Sequence, residues 1–296
     1  MNTDALAVAM IQRPCTAEPQ ANLAATLDAI EQAAAQGARL IVLQELHNQR
    51  YFCQREDTAN FALAEPLPGP SSEQLAAAAR QCNVVIVASL FERRAPGLHH
   101  NTAVVFDSDG HLAGRYRKMH VPDDPGYHEK FYFTPGDLGF TPIDTSLGRL
   151  GVLVCWDQWF PEAARLMALA GAELLIYPTA IGWDPTDDAE EQARQLDAWI
   201  TVQRGHAIAN GLPLIAVNRC GFEPDPAGEN PGIQFWGHSF AVGPQGEFLA
   251  RAGEQESITL ATIEPGRSAR VRNIWPFLRD RRIDDYTGLL YRYLDE

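Results

Sequence analysis

Apolar positions along this chain fall into short runs separated by stretches of helical period. Residues 5–12, 40–45, 84–90, 102–106, 112–118, 150–154, 174–178, 213–218, 237–242, 247–251 and 257–263 read as strands. Leu40-Ile-Val-Leu and Leu150-Gly-Val-Leu-Val are apolar throughout, as strands covered on both faces are. Residues 22–35 carry Leu23, Leu27, Ile30 and Ala34 at spacings of four, three and four, an amphipathic helix. A capped helix starts near Ser71, another opens at Pro161, and a long one spans 189–210 before Gly211. Asp107-Ser-Asp-Gly110 and Pro244-Gln-Gly246 are turns. Two β-rich halves with helices outside them make an α/β fold. No linker rich in Pro, Gly and Ser divides the chain, so a single domain over residues 1–296 is expected. Residues 268–296 form an apolar-aromatic, charge-rich tail suited to packing on its own subunit or to oligomerisation.

Three strand ends carry polar groups that a buried strand does not tolerate without reason. Leu40-Ile-Val-Leu-Gln-Glu45 ends in a carboxylate, costly there without a cation or a function. Leu112-Ala-Gly-Arg-Tyr-Arg-Lys118 ends in one of only two lysines, beside Lys130, among 24 basic residues. A compact ammonium enters a small pocket that a planar guanidinium cannot. Cys155 follows the third run and precedes the Pro161 helix, an elbow whose backbone N–H groups favour negative charge. Taken singly, a buried cysteine is more often inert filler and a buried glutamate more often half of a structural ion pair. Together the three supply a base, a cation for an oxyanion and a nucleophile, which is what amide hydrolysis through a cysteine needs.

The arrangement Glu45…Lys118…Cys155 resembles the nitrilase superfamily of carbon–nitrogen hydrolases over about residues 5–290. Leu43-Gln-Glu45-Leu, Tyr116-Arg-Lys118-Met-His-Val-Pro and Gly151-Val-Leu-Val-Cys155-Trp-Asp carry the likeness. The longer blocks 122–137, 155–166, 177–182 and 235–240 point within it to the branch acting on N-carbamoylputrescine. The resemblance implies a four-layer α-β-β-α sandwich, and hydrolysis of the ureido group to putrescine, carbon dioxide and ammonia through a thioester, a step of polyamine synthesis. It makes Glu129 a second glutamate beside Lys118 and the nucleophile, where the polar context His128-Glu-Lys130 alone suggests a surface carboxylate. It also implies dimers or larger homo-oligomers and no cofactor.

A distant substrate ammonium calls for a carboxylate at the far end of the pocket with an aromatic wall between. Asp184 is the expected amine partner, Asp187 and Asp188 better suiting helix capping. Trp156 and Tyr51 are candidates for the wall, and Thr179, in the block after the 174–178 strand, is a further substrate-binding candidate. If the substrate were instead an N-carbamoyl amino acid such as N-carbamoyl-β-alanine, an arginine would replace that carboxylate, and Arg219 would be suspect. A catalytically silent relative with an interaction role is a third reading, against which the intact set of three argues.

Composition narrows the classes. A net charge of −14 and a pI near 5.0 disfavour nucleic-acid binding. Five scattered cysteines suit a reducing cytoplasm and argue against disulfides or a cysteine zinc site, and the eight histidines lack metal-site spacing, so no metal is expected. His99-His100, ahead of a strand, reads as surface or structural. No run is long enough to span a bilayer, and the first residues lack the basic start of a signal peptide. Neither a phosphate-binding Gly-Lys-Ser/Thr loop nor a Gly-x-Ser-x-Gly elbow is present.

Overall fold

The computed structural model describes residues 5–295. Residues 1–4, on which part of the reading of the chain start falls, lie outside the described residues. In chain order the elements are β1 (Leu6–Gln12), α1 (Pro19–Ala35), β2 (Leu40–Leu43), α2 (Pro70–Cys82), β3 (Val85–Ala95), β4 (Leu98–Phe106), β5 (Leu112–Arg117) and α3 (Glu129–Tyr132). There follow β6 (Ile143–Thr145), β7 (Gly148–Val152), α4 (Pro161–Leu169), β8 (Leu174–Pro178), β9 (Gly182–Trp183), α5 (Ala189–Asn210) and β10 (Leu214–Val217). The last are β11 (Cys220–Glu223), β12 (Ile233–Trp236), β13 (Phe240–Val242), β14 (Phe248–Arg251), β15 (Ser257–Ile263) and α6 (Arg267–Ile274).

Two six-stranded sheets form the centre, ordered β15-β1-β2-β3-β4-β5 and β14-β13-β10-β8-β7-β6. Each has a parallel trio, β1-β2-β3 or β10-β8-β7, flanked by antiparallel strands. Alternation along β1 shows how they stack: Val8 and Met10 join the core shared with Val152, Ile176 and Leu214 of the second sheet, while Ala9 and Ile11 face Ala29, Ile30, Leu75 and Ala79 of α1 and α2. Helices α4 and α5 cover the second sheet with Met167, Ile200 and Ala207. The layers run helix, sheet, sheet, helix, as expected. The carboxyl ends of β2, β5, β7, β8 and β10 all open where reactive groups gather in α/β sheets.

The differences from the expected elements have local causes. The strand expected over 237–242 begins only at Phe240, because Gly237 and His238 take left-handed φ values of 66° and 55°. A Cβ on Gly237 would lie 2.5 Å from the Gln12 amide, so only glycine fits. The helix near Ser71 starts at Pro70, and the Ser71 hydroxyl binds Glu65 instead of capping. The β3–β4 hairpin is longer than expected and holds His99 and His100 as buried, structural residues, His100 Nδ1 lying 2.9 Å from Thr134 O. A small β11-β12-β9 sheet was not foreseen. Its two-residue β9 runs so close to β12 that a Cβ on Gly182 would meet Gln234 O at 2.3 Å. Among the described residues no helix is long and apolar enough to cross a membrane.

Candidate active site

Glu45, Lys118 and Cys155 are each held by backbone geometry at a strand end, while Glu129 opens α3. Glu45 lies two residues past β2, its N–H bonded to Thr179 O at 3.2 Å and followed by Leu46 at φ 49°. Lys118 directly follows β5, its N–H bonded to Asn101 O at 2.9 Å. Cys155 starts a 3-10 turn (Cys155–Trp159) at φ 43°, a left-handed conformation that a non-glycine residue keeps only where its surroundings impose it. That turn ends at Phe160 and Pro161 opens α4, as the sequence indicated.

The side chains converge in a dry cluster. Lys118 Nζ donates to Glu45 Oε1 at 2.8 Å and to Glu129 Oε2 at 2.6 Å. Asn101 Nδ2 donates to the same Glu45 oxygen at 2.6 Å, and Ser89 Oγ fixes the Asn101 carbonyl at 2.8 Å. Tyr51 Oη donates to Glu129 Oε1 at 2.6 Å. Both Glu129 oxygens are therefore engaged, whereas Glu45 Oε2 is buried with no hydrogen-bond partner. An unpartnered buried carboxylate oxygen is costly and is explained if it receives a proton during turnover. The Cys155 thiol donates weakly to Ala180 O at 3.7 Å.

Electrostatics assign the resting forms. Burial, then the Glu45 carboxylate, pushes the Cys155 thiol well above its ordinary range, so it rests protonated and needs a base to attack. Burial opposes the charge of Lys118, but Glu129 and Glu45 outweigh it and hold the ammonium well above the usual lysine value. Burial pushes the Glu129 carboxyl up, with Lys118 opposing and Glu45 reinforcing.

A cavity of about 450 Å³ reaches Cys155 and Glu129. Trp156, Trp159, Tyr127 and Trp236 give it aromatic walls. Its other lining carboxylates are Asp124, Asp184 and Asp187, and among the described residues no lysine, arginine or histidine lines it. Asp188, not Asp187, caps α5, accepting from Glu191 N at 2.8 Å. Asp184 Oδ1 accepts from Thr186 N at 2.8 Å and from its hydroxyl at 2.7 Å, and these bonds lower its pKa.

Two substrate-binding expectations need correction. Tyr51 stands behind the wall, its hydroxyl committed to Glu129 and its ring 5.4 Å from that of Tyr127, which is the residue lining the cavity. Thr179 is fully buried, its hydroxyl bonded to Gln158 Oε1 at 3.3 Å and Tyr177 O at 3.1 Å, and its carbonyl anchors Glu45. The suspicion about Arg219 also dissolves. Its guanidinium is buried, donating to Gln49 O at 2.8 Å, Glu45 O at 3.1 Å, Leu46 O at 2.9 Å and Glu223 Oε1 at 2.6 Å. It braces the turn carrying Glu45. The sequence reading missed Asn101, Tyr127 and Asp157. Asn101 lies in the polar start of β4, between His99-His100 and Thr102, ahead of the apolar run, and nothing local in the sequence marked it out.

The carbon-nitrogen hydrolase family model matches residues 7–273, and the chain belongs to that family. The N-carbamoylputrescine amidase of Solanum lycopersicum is 44% identical over 286 residues, covering 96% of this chain and 94% of the relative. The citrullinase of Francisella tularensis is 39% identical, covering 97% and 98%. Among solved structures, a carbon-nitrogen hydrolase from Helicobacter pylori G27 is 54% identical with a TM-score of 0.96, covering 98% of this chain and all of that one. An amidase from Nesterenkonia sp. is 27% identical with a TM-score of 0.76, covering 96% of each. The protein is thus a hydrolase of carbon–nitrogen bonds in the nitrilase superfamily.

Proposed function

We propose that the enzyme hydrolyses N-carbamoylputrescine to putrescine, carbon dioxide and ammonia, serving polyamine synthesis. The observation carrying this reading is the cavity: it leads to a cysteine beside a Glu–Lys–Glu cluster, and its ionisable lining is acidic only. An extended aliphatic ammonium fits aromatic walls ending in carboxylates, and a substrate carboxylate there would find no cation. Asp184, exposed and with its second oxygen outside the Thr186 bonds, is the amine partner, with Asp124 and Asp187 adding field.

In the mechanism, Glu45 Oε2 takes the thiol proton as Cys155 Sγ attacks the ureido carbonyl. Lys118 and the Trp156 N–H stabilise the tetrahedral oxyanion; that N–H precedes the first one used inside the turn, Asp157 N to Val154 O at 3.1 Å. The C–NH2 bond breaks, Glu45 returns the proton to the departing ammonia, and an N-alkylcarbamoyl thioester remains. Water, deprotonated by Glu45, cleaves the thioester and restores the thiol. The carbamic acid then loses carbon dioxide and frees the amine.

The test is ammonia release from N-carbamoylputrescine, N-carbamoyl-β-alanine and citrulline, with wild type and Cys155→Ser. Turnover of the first substrate, abolished by the substitution, supports the whole reading. Preference for N-carbamoyl-β-alanine, which has a carboxylate and no ammonium, would sink the amine pocket and leave the cysteine chemistry standing, whereas preference for citrulline, which carries both, would keep the amine partner and overturn the assigned substrate.

The same reading has the enzyme working as a homodimer or larger assembly. Ile283, Leu289, Leu290, Tyr291, Tyr293 and Leu294 in the tail are exposed, as are Leu166 and Leu169 of α4, an apolar display that a second copy would cover. Light scattering of the full chain and of a version truncated after Ile274 tests it, a monomeric full chain overturning it.

A further inference from the structure

We infer that Asp157 is a positioning residue that sets the distance and angle between Lys118 and Cys155, an inference resting on the roles proposed for those two groups. Asp157 lies two residues beyond the nucleophile and is fully buried. Its Oδ2 accepts from Val154 N at 2.9 Å, the residue immediately before Cys155, and from Tyr116 Oη at 2.8 Å. Its Oδ1 accepts from His120 N at 3.0 Å and lies 2.7 Å from His120 Nδ1. Tyr116 and His120 flank Lys118 at equal distance in sequence, on the same strand end and its following loop. One carboxylate thus grips the elbow of the nucleophile and both shoulders of the lysine.

The two elements come from different sheets, β5 from the first and the Cys155 elbow from the second. No strand pairing joins them, so side chains must set their register. The His120 ring adds a second tie, stacked on Phe160 with centroids 3.8 Å apart and planes 8° apart. Asp157 makes no bond to Lys118, Glu45 or Glu129 and has no place in proton transfer. Its effect is to hold Cys155 at its left-handed φ and to keep the ammonium aimed where the oxyanion forms.

Its carboxylate accepts bonds on both oxygens, so a carboxamide turns one acceptor into a donor facing other donors. Asp157→Asn is expected to lower kcat between about tenfold and a hundredfold, as a misplacement near 1 Å does, while KM changes by no more than roughly twofold. Tyr116→Phe and His120→Ala each remove one grip and leave the carboxylate in place, and each is expected to give a smaller fall in kcat of the same kind. Activity is normalised to the folded fraction, read from the amplitude of the cooperative unfolding transition in denaturant. A merely structural role would reduce that fraction or the melting temperature and leave kcat per folded molecule unchanged. That result, or a rise in KM alone, overturns the proposal. Should Asp157→Asn fail to fold, the Tyr116 and His120 variants decide on the same criterion. Cys155→Ala is the control: turnover surviving in it would overturn the proposed nucleophile, whereas an inactive control with normal kcat in the other variants overturns only the positioning role.

Discussion

The Lys118 ammonium lies 2.8 Å from the Glu45 carboxylate, and neither side chain has any exposed surface. The base and the cation of the proposed reaction are therefore neighbours in a place where water does not screen them. A single oxyanion donor is worth about 3 kcal/mol, a few hundred-fold in rate. Lys118→Ala should lose at least that in kcat, since a full charge leaves with the donor. It also strands two carboxylates without their cation, and removing one partner of a buried pair costs about 3–5 kcal/mol of stability. Steady-state kinetics and denaturant unfolding on one preparation measure both. A kcat within tenfold of wild type would end the oxyanion role.

Glu129 gives the site its own pH signature. Burial raises its pKa, so as pH falls it takes up a proton earlier than an ordinary glutamate, whose value is about 4.3. Protonation removes one of the two counter-charges holding Lys118 and weakens its aim. The acid limb of kcat/KM is expected above the usual carboxylate range. Glu129→Gln, neutral at every pH, should lower the plateau and flatten that limb. A pH–rate profile with its acid limb near 4, unchanged by the substitution, would refute this.

The parts of this protein that follow from local pattern were legible in the sequence. Leu40–Leu43 and Leu174–Pro178 are strands because they are apolar on both faces, and α5 ends at Gly211 because its left-handed cap, at φ 58°, suits glycine. Glu45, Lys118 and Cys155 stood out because each placed chemistry at the end of such a strand, and their likeness to a known family joined them. What depended on distant contacts was hidden. Tyr51 looked like a pocket wall until the fold brought Glu129 to its hydroxyl. Arg219 looked like a substrate ligand because nothing in its neighbourhood in sequence announced three carbonyls from residues 45–49. The two-residue β9 was invisible because its strand character comes entirely from pairing with Gln234 and Phe235.

Arg219 should therefore behave as a brace for the base and not as a selector of substrates. Its buried guanidinium pairs with Glu223 at 2.6 Å, and Glu223 in turn accepts from Tyr51 N at 2.7 Å. Arg219→Met is expected to cost about 3–5 kcal/mol of stability because Glu223 is left buried without its cation. Adding Glu223→Gln should recover part of that loss, since the stranded charge is gone. Unfolding of Arg219→Met, Glu223→Gln and the double variant against wild type measures the coupling. Strictly additive costs would show that the pair does not act as a unit. The ratio of N-carbamoylputrescine to N-carbamoyl-β-alanine turnover should stay unchanged in any Arg219 variant that folds.

His47 sits in the same braced turn and makes stability depend on pH. Burial first, and then the Arg219 charge, depress its pKa to about 3. Its Nε2 is buried without a partner, so the neutral ring is the folded form. In the unfolded chain the ring titrates near 6.5. Between these values the unfolded state holds one proton more than the folded state, so stability rises with pH and is lost as pH falls below about 6.5. The loss from this one residue approaches about 1.4 kcal/mol per pH unit within that window. His47→Gln removes the titration while keeping a polar side chain in place. Carboxylates and the other histidines titrate in both proteins and cancel in the comparison. Between pH 6.5 and 5.0 the wild type should therefore lose about 1.7 kcal/mol more than His47→Gln in denaturant unfolding. Parallel curves for the two proteins would mean that the ring accepts a proton in the folded state.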